Sequence, residues 1–175
     1  ESGIVLPREV LESADQFGRD GKSTMIVAID GRAAGVIAVA DVLRPNALAT
    51  IARLRKAGIK QLLLLTGDNQ QVGEALARSL QLDAVRSNLM PEDKVTAMQE
   101  LAVGETVAMV GDGVNDAPAL ATASVGIAMG GGSTVVALET ADVALMGNDL
   151  SALPFAIELG RATRRVVLQN LAVAI

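Results

Sequence analysis

The 175-residue chain has no cysteine, histidine, tryptophan or tyrosine, and only two phenylalanines, Phe17 and Phe155. Each gap removes a class of chemistry. Without Cys or His there is no thiol or imidazole catalysis and none of the usual zinc sites, which leaves carboxylate, amide, hydroxyl and lysine chemistry. A metal held by those groups is expected to be hard and Mg²⁺-like. The scarcity of aromatic rings removes stacking platforms for single-stranded nucleic acid. A net charge of −5 argues further against nucleic acid, whose phosphates are held by clustered Lys and Arg. The lack of cysteine fits a reducing compartment without requiring one. No signal peptide is recognisable near the start, and Glu1 in place of Met leads us to expect that the chain begins inside a longer protein.

The hydrophobic fraction of 50% supplies the apolar surface for a sizeable core, and the length suits one domain. Two β-rich runs, 23–29 and 33–40, are joined by Asp30-Gly31, a hairpin signal. A helix is expected from Pro45 through Lys56, ending at Gly58. The chain then alternates, with strands over 60–65, 84–86, 106–110, 125–129 and 142–146. Helices are expected over 69–80, 91–102 and 115–121 and near 135–140, with a last long one from about Asp149. Pro7 to Phe17 reads as a short helix. Near-continuous apolar strands separated by helices predict an α/β fold: a doubly wound, Rossmannoid parallel sheet with helices on both faces. An antiparallel hairpin would precede it and a long C-terminal helix would follow. Ligands of such sheets sit beyond the carboxyl ends of the strands, where Thr66, Asp68, Asp112 and Asp116 fall.

The string Val110-Gly111-Asp112-Gly113-Val114-Asn115-Asp116 puts two carboxylates four residues apart at such an end. Two carboxylates about 4 Å apart repel by about 4 kcal/mol at an effective dielectric near 20. Mg²⁺ between or beside them relieves this and keeps waters for a phosphate to replace. The plain alternative is a turn at Asp112 and a helix start at Asp116, with Gly111 and Gly113 as permissive backbone. Thr66-Gly67-Asp68-Asn69 closes another strand, where a hydroxyl and helix-start N–H groups would cradle a phosphoryl oxygen; otherwise Asp68 is simply an N-cap. Lys94, in the first turn after Met90-Pro91-Glu92-Asp93, runs against the helix dipole. It is either solvated and offset by its acidic neighbours or offset by an anionic ligand. The Gly130 to Gly132 run lacks a following Lys and reads as a tight turn.

Taken together, TGDN (Thr66 to Asn69), MPEDK (Met90 to Lys94), MVGDGVNDAPAL (Met109 to Leu120), VGIAMG (Val125 to Gly130) and ALETADVALM (Ala137 to Met146) resemble the phosphorylation domain of P-type cation-transporting ATPases. Those pumps are members of the haloacid dehalogenase superfamily. The ending RRVVLQNLAVAI resembles the entry to a late membrane region of the heavy-metal branch, with a lean toward zinc and cadmium pumps. The resemblance implies that Asp112 coordinates Mg²⁺, with Asn115 and Asp116 completing its surroundings. It implies that Thr66 and Gly67 hold the phosphoryl group, that Asp68 supports their loop, and that Lys94 stabilises the phosphorylated state. Asp41 and Arg44 would match the hinge from the nucleotide-binding domain. Residues 1–40 would then be a remnant of that domain with its return strands, 41–150 the phosphorylation domain, and 151–175 a linker helix entering a membrane span.

The implied cofactors are Mg²⁺ and ATP, the nucleotide being held mostly by the missing domain. The implied partners are a heavy-metal ion, the other domains of the parent and a membrane, with this segment on its cytoplasmic side. The family's phosphorylated Asp lies in a DKTGT string that this chain lacks, so the piece is expected to be inactive alone. Val135 stands near a place where the family usually carries Asp. A soluble phosphatase of the superfamily is the competing reading; among the early acids Asp15, Asp20 and Asp30, only Asp30 follows an apolar strand. A non-catalytic docking module is a third. For the tail, Arg161, Arg164 and Arg165 before the apolar 166–175 suit either a membrane entry or a C-terminal amphipathic core helix.

Overall fold

The computed structural model describes residues 6–40, 42–112, 115–130, 139–147 and 149–174. In chain order these form α1 (Arg8–Arg19), β1 (Ser23–Ile29), β2 (Arg32–Val39), α2 (Ala47–Lys56), β3 (Leu63–Leu65), α3 (Gln70–Ser79) and β4 (Ala84–Arg86). They continue with α4 (Pro91–Leu101), β5 (Ala108–Gly111), α5 (Ala117–Thr122), β6 (Val125–Met129), β7 (Val143–Leu145) and α6 (Ala152–Ala174). The chain divides into two compact units: Glu1–Arg44 with Gln61–Leu89, and Pro45–Lys60 with Met90–Ile175.

In the first unit β1 and β2 pair antiparallel, Ile29 opposite Arg32. Asp30 (φ 51°) and Gly31 (φ 76°) turn the hairpin, as two left-handed residues must when the connection is this tight. α1 packs against both strands, while Met25, Val27, Ile29, Ile37 and Val39 remain exposed. β3 and β4 pair in parallel, Leu65 opposite Arg86. β3 is shorter than the apolar run predicts because the Asp83 side chain takes over at its start. Leu62 N–H donates to Asp83 Oδ2 at 2.7 Å, and the Asp83 N–H returns a bond to the Leu62 carbonyl at 2.9 Å.

The second unit holds a three-stranded parallel sheet in the order β5-β6-β7. Its core is rich in alanine and methionine, with Ala97, Met98, Met109, Ala119, Leu120, Ile127, Ala128 and Met129 all buried. Small residues let α5 lie close on β5 and β6. At Gly126 an added Cβ would stand 2.6 Å from the Leu120 carbonyl oxygen, so only glycine fits that contact. α4 starts with Pro91, and the Asp93 carboxylate accepts from the Met90 N–H at 2.9 Å, satisfying a donor that the helix cannot.

α2 begins after Asn46, two residues later than the Pro45 pattern suggested. Asn46 does not cap it by side chain; its amide donates instead to Asp149 in the turn before α6. Leu153 and Pro154 of α6 are buried, whereas every described residue from Glu158 to Ala174 is exposed. The core-helix reading of the tail is therefore corrected: residues 166–174 are exposed, and only the first turns of α6 reach the core. No helix among the described residues is long and apolar enough to cross a membrane. The helix expected near 135–140 lies mostly outside the described residues, as do Val135 and two residues of the Gly130 to Gly132 run.

Candidate functional site

Residues beyond the carboxyl ends of the parallel strands are positioned within each unit separately. In the first, Thr66 follows β3 directly. Its hydroxyl donates to Asp68 Oδ2 at 2.8 Å and accepts the Asp68 N–H at 3.1 Å, so the two side chains hold the loop shut around an exposed Gly67. The helix cap belongs to Asn69, whose Oδ1 accepts the Val72 N–H at 3.0 Å. The alternative that made Asp68 an N-cap is thus corrected: Asp68 is occupied by Thr66, and the next residue closes the helix.

The segment after β4 braces this loop, a role the sequence reading missed. The Asn88 N–H donates to the Asp68 carbonyl at 2.7 Å and the Leu89 N–H to the Thr66 carbonyl at 3.1 Å. A Cβ on Gly67 would lie 3.3 Å from the Leu89 carbonyl oxygen. Asn88 has φ 56°, a left-handed conformation that Asn tolerates better than most residues. Asn88, two residues before Met90-Pro91, was the available signal.

In the second unit Lys94 Nζ donates to Asp116 Oδ1 at 2.7 Å, with 17% of each side chain exposed. α4 and α5 lie side by side, so the dipole-opposed Lys94 finds a carboxylate at the start of the neighbouring helix. The solvated alternative for Lys94 is set aside, and its charge is offset by the carboxylate of Asp116, which neither alternative named. Asp116 makes no side-chain cap to its own helix; its carboxylate is turned to Lys94 and packs on Gly111, where an added Cβ would stand 2.8 Å from Oδ2. Gly111 thus serves a close approach rather than mere flexibility.

Asp112 and Asn115 are exposed on either side of two residues outside the described set, and Asp112 is itself engaged in an interaction. The donors at this end of β5 are hard oxygens, which fit Mg²⁺. Among the described residues no group of three or more His, Cys, Asp or Glu side chains gathers in a way that could hold a metal. Asp41 lies outside the described residues; Arg44 is exposed and has an interaction partner. Asp30, the best early candidate for a phosphatase nucleophile, sits at the hairpin tip and not beyond a parallel strand.

Residues 7–124 match the model of a haloacid dehalogenase-like hydrolase. The chain is 50% identical over 156 residues to a "Probable cadmium-transporting ATPase" of Staphylococcus aureus (strain MRSA252), covering 89% of this chain and 22% of that protein. It is 42% identical over 172 residues to a "Copper-exporting P-type ATPase" of Staphylococcus aureus (strain JH9), covering 98% of this chain and 21% of that one. Among solved structures it is similar to a zinc-transporting PIB-type ATPase in the E2.Pi state, with a TM-score of 0.81, 41% identity, and coverage of 97% of this chain and 28% of that one. The chain spans about a fifth of the length of the curated relatives it matches. With a family model covering most of its length and an α/β fold of parallel sheets, hairpin and C-terminal helix, this chain belongs to the haloacid dehalogenase-like hydrolases.

Proposed function

We propose that this chain supplies the Mg²⁺ and phosphoryl-handling part of a P-type ATPase that moves a heavy-metal cation, cadmium or zinc before copper. The observation that carries the reading is the Lys94–Asp116 pair, packed on Gly111 at the end of β5 beside the exposed Asp112. A cation held by a carboxylate at a strand end is what a site for phosphoryl transfer requires, because little covalent work falls to the protein and positioning with charge stabilisation does most of it.

Asp112 binds Mg²⁺, which when bound draws charge from phosphate oxygens, and Asn115 is a further oxygen donor. Asp116 holds and orients Lys94 and lends its free oxygen to the metal side; Lys94 neutralises phosphoryl charge. Thr66 and Gly67 receive the phosphoryl group, and Asp68 keeps the Thr66 hydroxyl in place. Asp41 and Arg44 belong to the connection with a nucleotide-binding domain that holds ATP. Residues 1–40 are read as the end of that domain, 41–150 as the phosphorylation domain, and 151–175 as the linker to a membrane span, with this segment on the cytoplasmic side.

The sequence contains no DKTGT string, so the isolated chain is expected to bind Mg²⁺ yet not hydrolyse ATP. Isothermal titration with Mg²⁺ and a phosphate-release assay check both halves. Steady ATP turnover by the chain alone would overturn the assignment of a separate nucleophile. Mg²⁺ binding that survives Asp112→Ala would overturn the metal site.

A further inference from the structure

We propose that Ser87 is a positioning residue for the phosphoryl loop of the first unit: a second partner for the Thr66 hydroxyl, which competes with Asp68 and draws that hydroxyl away from the loop mouth. Its role rests on the one proposed for Thr66 and employs a group that the site described above leaves unused. The Ser87 hydroxyl oxygen is buried and has no hydrogen-bond partner. A buried hydroxyl in that state has given up water for nothing, and few native groups are left so.

Its surroundings point to the missing partner. The oxygen occupies the place where a Cβ of Gly73 would stand, and methyl carbons of Val85 and Thr66 lie 3.2 and 3.3 Å from that same point. Side chains from β4, from the segment after it and from the end of β3 thus meet over a residue of α3 that has no side chain of its own. The Thr66 methyl lies on this side because the hydroxyl on the same carbon is turned to Asp68, donating to Oδ2 at 2.8 Å and accepting the Asp68 N–H at 3.1 Å. A rotation of Thr66 about χ1 from one staggered position to the next exchanges the two branches. It brings the hydroxyl to the oxygen that lacks a partner.

Movement is confined to that torsion. The Thr66 N–H donates to the Arg86 carbonyl at 3.0 Å, the Thr66 carbonyl accepts the Leu89 N–H at 3.1 Å, and the Asp68 carbonyl accepts the Asn88 N–H at 2.7 Å. The backbone on both sides of Ser87 therefore grips the backbone of the loop, and the Thr66 side chain is the part left to change partner. Two bonds to Asp68 against one to Ser87 keep the hydroxyl at the mouth of the resting loop, the bond to a carboxylate being the stronger kind. There it is available to a phosphoryl oxygen. When the Asp68 carboxylate is engaged elsewhere, Ser87 takes the hydroxyl inward and the loop loses a donor. A serine that merely filled space beside Gly73 would do nothing that alanine could not.

The test follows the Thr66 side chain by NMR in the isotopically labelled 175-residue chain, where couplings from its methyl carbon to the backbone nitrogen and carbonyl carbon report χ1. The parent should show the rotamer bonded to Asp68. Asp68→Ala should turn Thr66 toward Ser87, and combining it with Ser87→Ala should undo that preference. An unturned Thr66 in a folded Asp68→Ala chain, or a turn that persists without the Ser87 hydroxyl, overturns the proposal. Ser87→Ala alone should be no less stable to urea than the parent, because it removes an unpaired group; a clear loss would mean that the hydroxyl already has a partner, and overturns it too. Binding of inorganic phosphate in the presence of Mg²⁺ supplies the functional arm. Asp68→Ala should weaken it, and adding Ser87→Ala should recover about fivefold, the worth of one hydrogen bond. Absence of any recovery would show that Ser87 does not compete for the hydroxyl. The couplings are read without phosphate, so a parent chain that binds none would overturn the phosphoryl reading of Thr66 while the Ser87 contact is still decided by its rotamers.

Discussion

Asp116 Oδ2 lies 2.8 Å from where a Cβ on Gly111 would stand, so the last residue of β5 and the carboxylate that holds Lys94 are packed as one piece. Gly111→Ala must push that carboxylate or the strand end aside. We expect a loss of about 1–3 kcal/mol, the usual range for overpacking, measured by urea unfolding. The substitution should also lengthen the Lys94–Asp116 contact, visible in the Lys94 side-chain NMR resonances. Full stability together with an unshifted Lys94 signal would show that the approach is not tight.

The Lys94–Asp116 pair is mostly shielded from water and spans two helices, so its partners should be coupled. A double-mutant cycle with Lys94→Met and Asp116→Asn is expected to give a coupling of about 1–3 kcal/mol, each single change being worse than the pair because it strands a charge. Additive effects would count against the pair as a structural unit.

Asn69 and Asp68 are adjacent but do different work. Asn69→Ala removes a side-chain cap and should cost about 1 kcal/mol. Asp68→Ala should leave that cap intact while freeing the Thr66 hydroxyl, and its effect should appear in phosphate-analogue binding more than in unfolding. Equal stability losses for the two would mean that both serve the helix start.

Gly126→Ala brings a methyl against the Leu120 backbone, which cannot move like a side-chain tip. A loss of about 1–3 kcal/mol is expected. Little loss in thermal or urea unfolding would show that α5 can lift from β6.

Asp149 has its carboxyl held below the ordinary carboxylate value, chiefly by the Ser151 hydroxyl and then by the Ser151 N–H, with the Asn46 amide adding to them; partial desolvation opposes these. A depressed folded-state pKa means the contribution is present above the unfolded value and fades as the pH falls through the folded one. The tie between the starts of α2 and α6 should therefore loosen only in acid. An NMR titration of the Asp149 carboxyl should show a midpoint below that of a free aspartate, and Ser151→Ala should raise it.

Local pattern made most elements readable. β1, β4 and β6 match their runs to the residue, because an apolar strand bounded by turn residues has few other ways to bury itself. Errors collected at ends, where a single side chain from elsewhere intervenes: Asp83 replaces the first rungs of β3, and Asn46 gives its amide to Asp149. Neither contact has a periodic signature. The division into two compact units, with residues 45–60 joining the later one, was equally invisible, since packing partners are chosen by shape over long separations.

For the site, residue types and spacing alone determined which atoms are available: hard oxygens, one well-placed ammonium, and no imidazole or thiol. They also placed Thr66 and Asp112 just past strand ends, because a run of apolar residues must stop where the chain meets water. Only the tertiary structure decided how those groups are used. It turned Asp116 from its own helix to Lys94, gave Asp68 to Thr66, made Gly111 a point of contact, and brought the Arg161 guanidinium to the Ala57 carbonyl. The physical reason is that a charge or a hydrogen bond acts over a few ångströms of space, and the distance between residues along the chain says almost nothing about that.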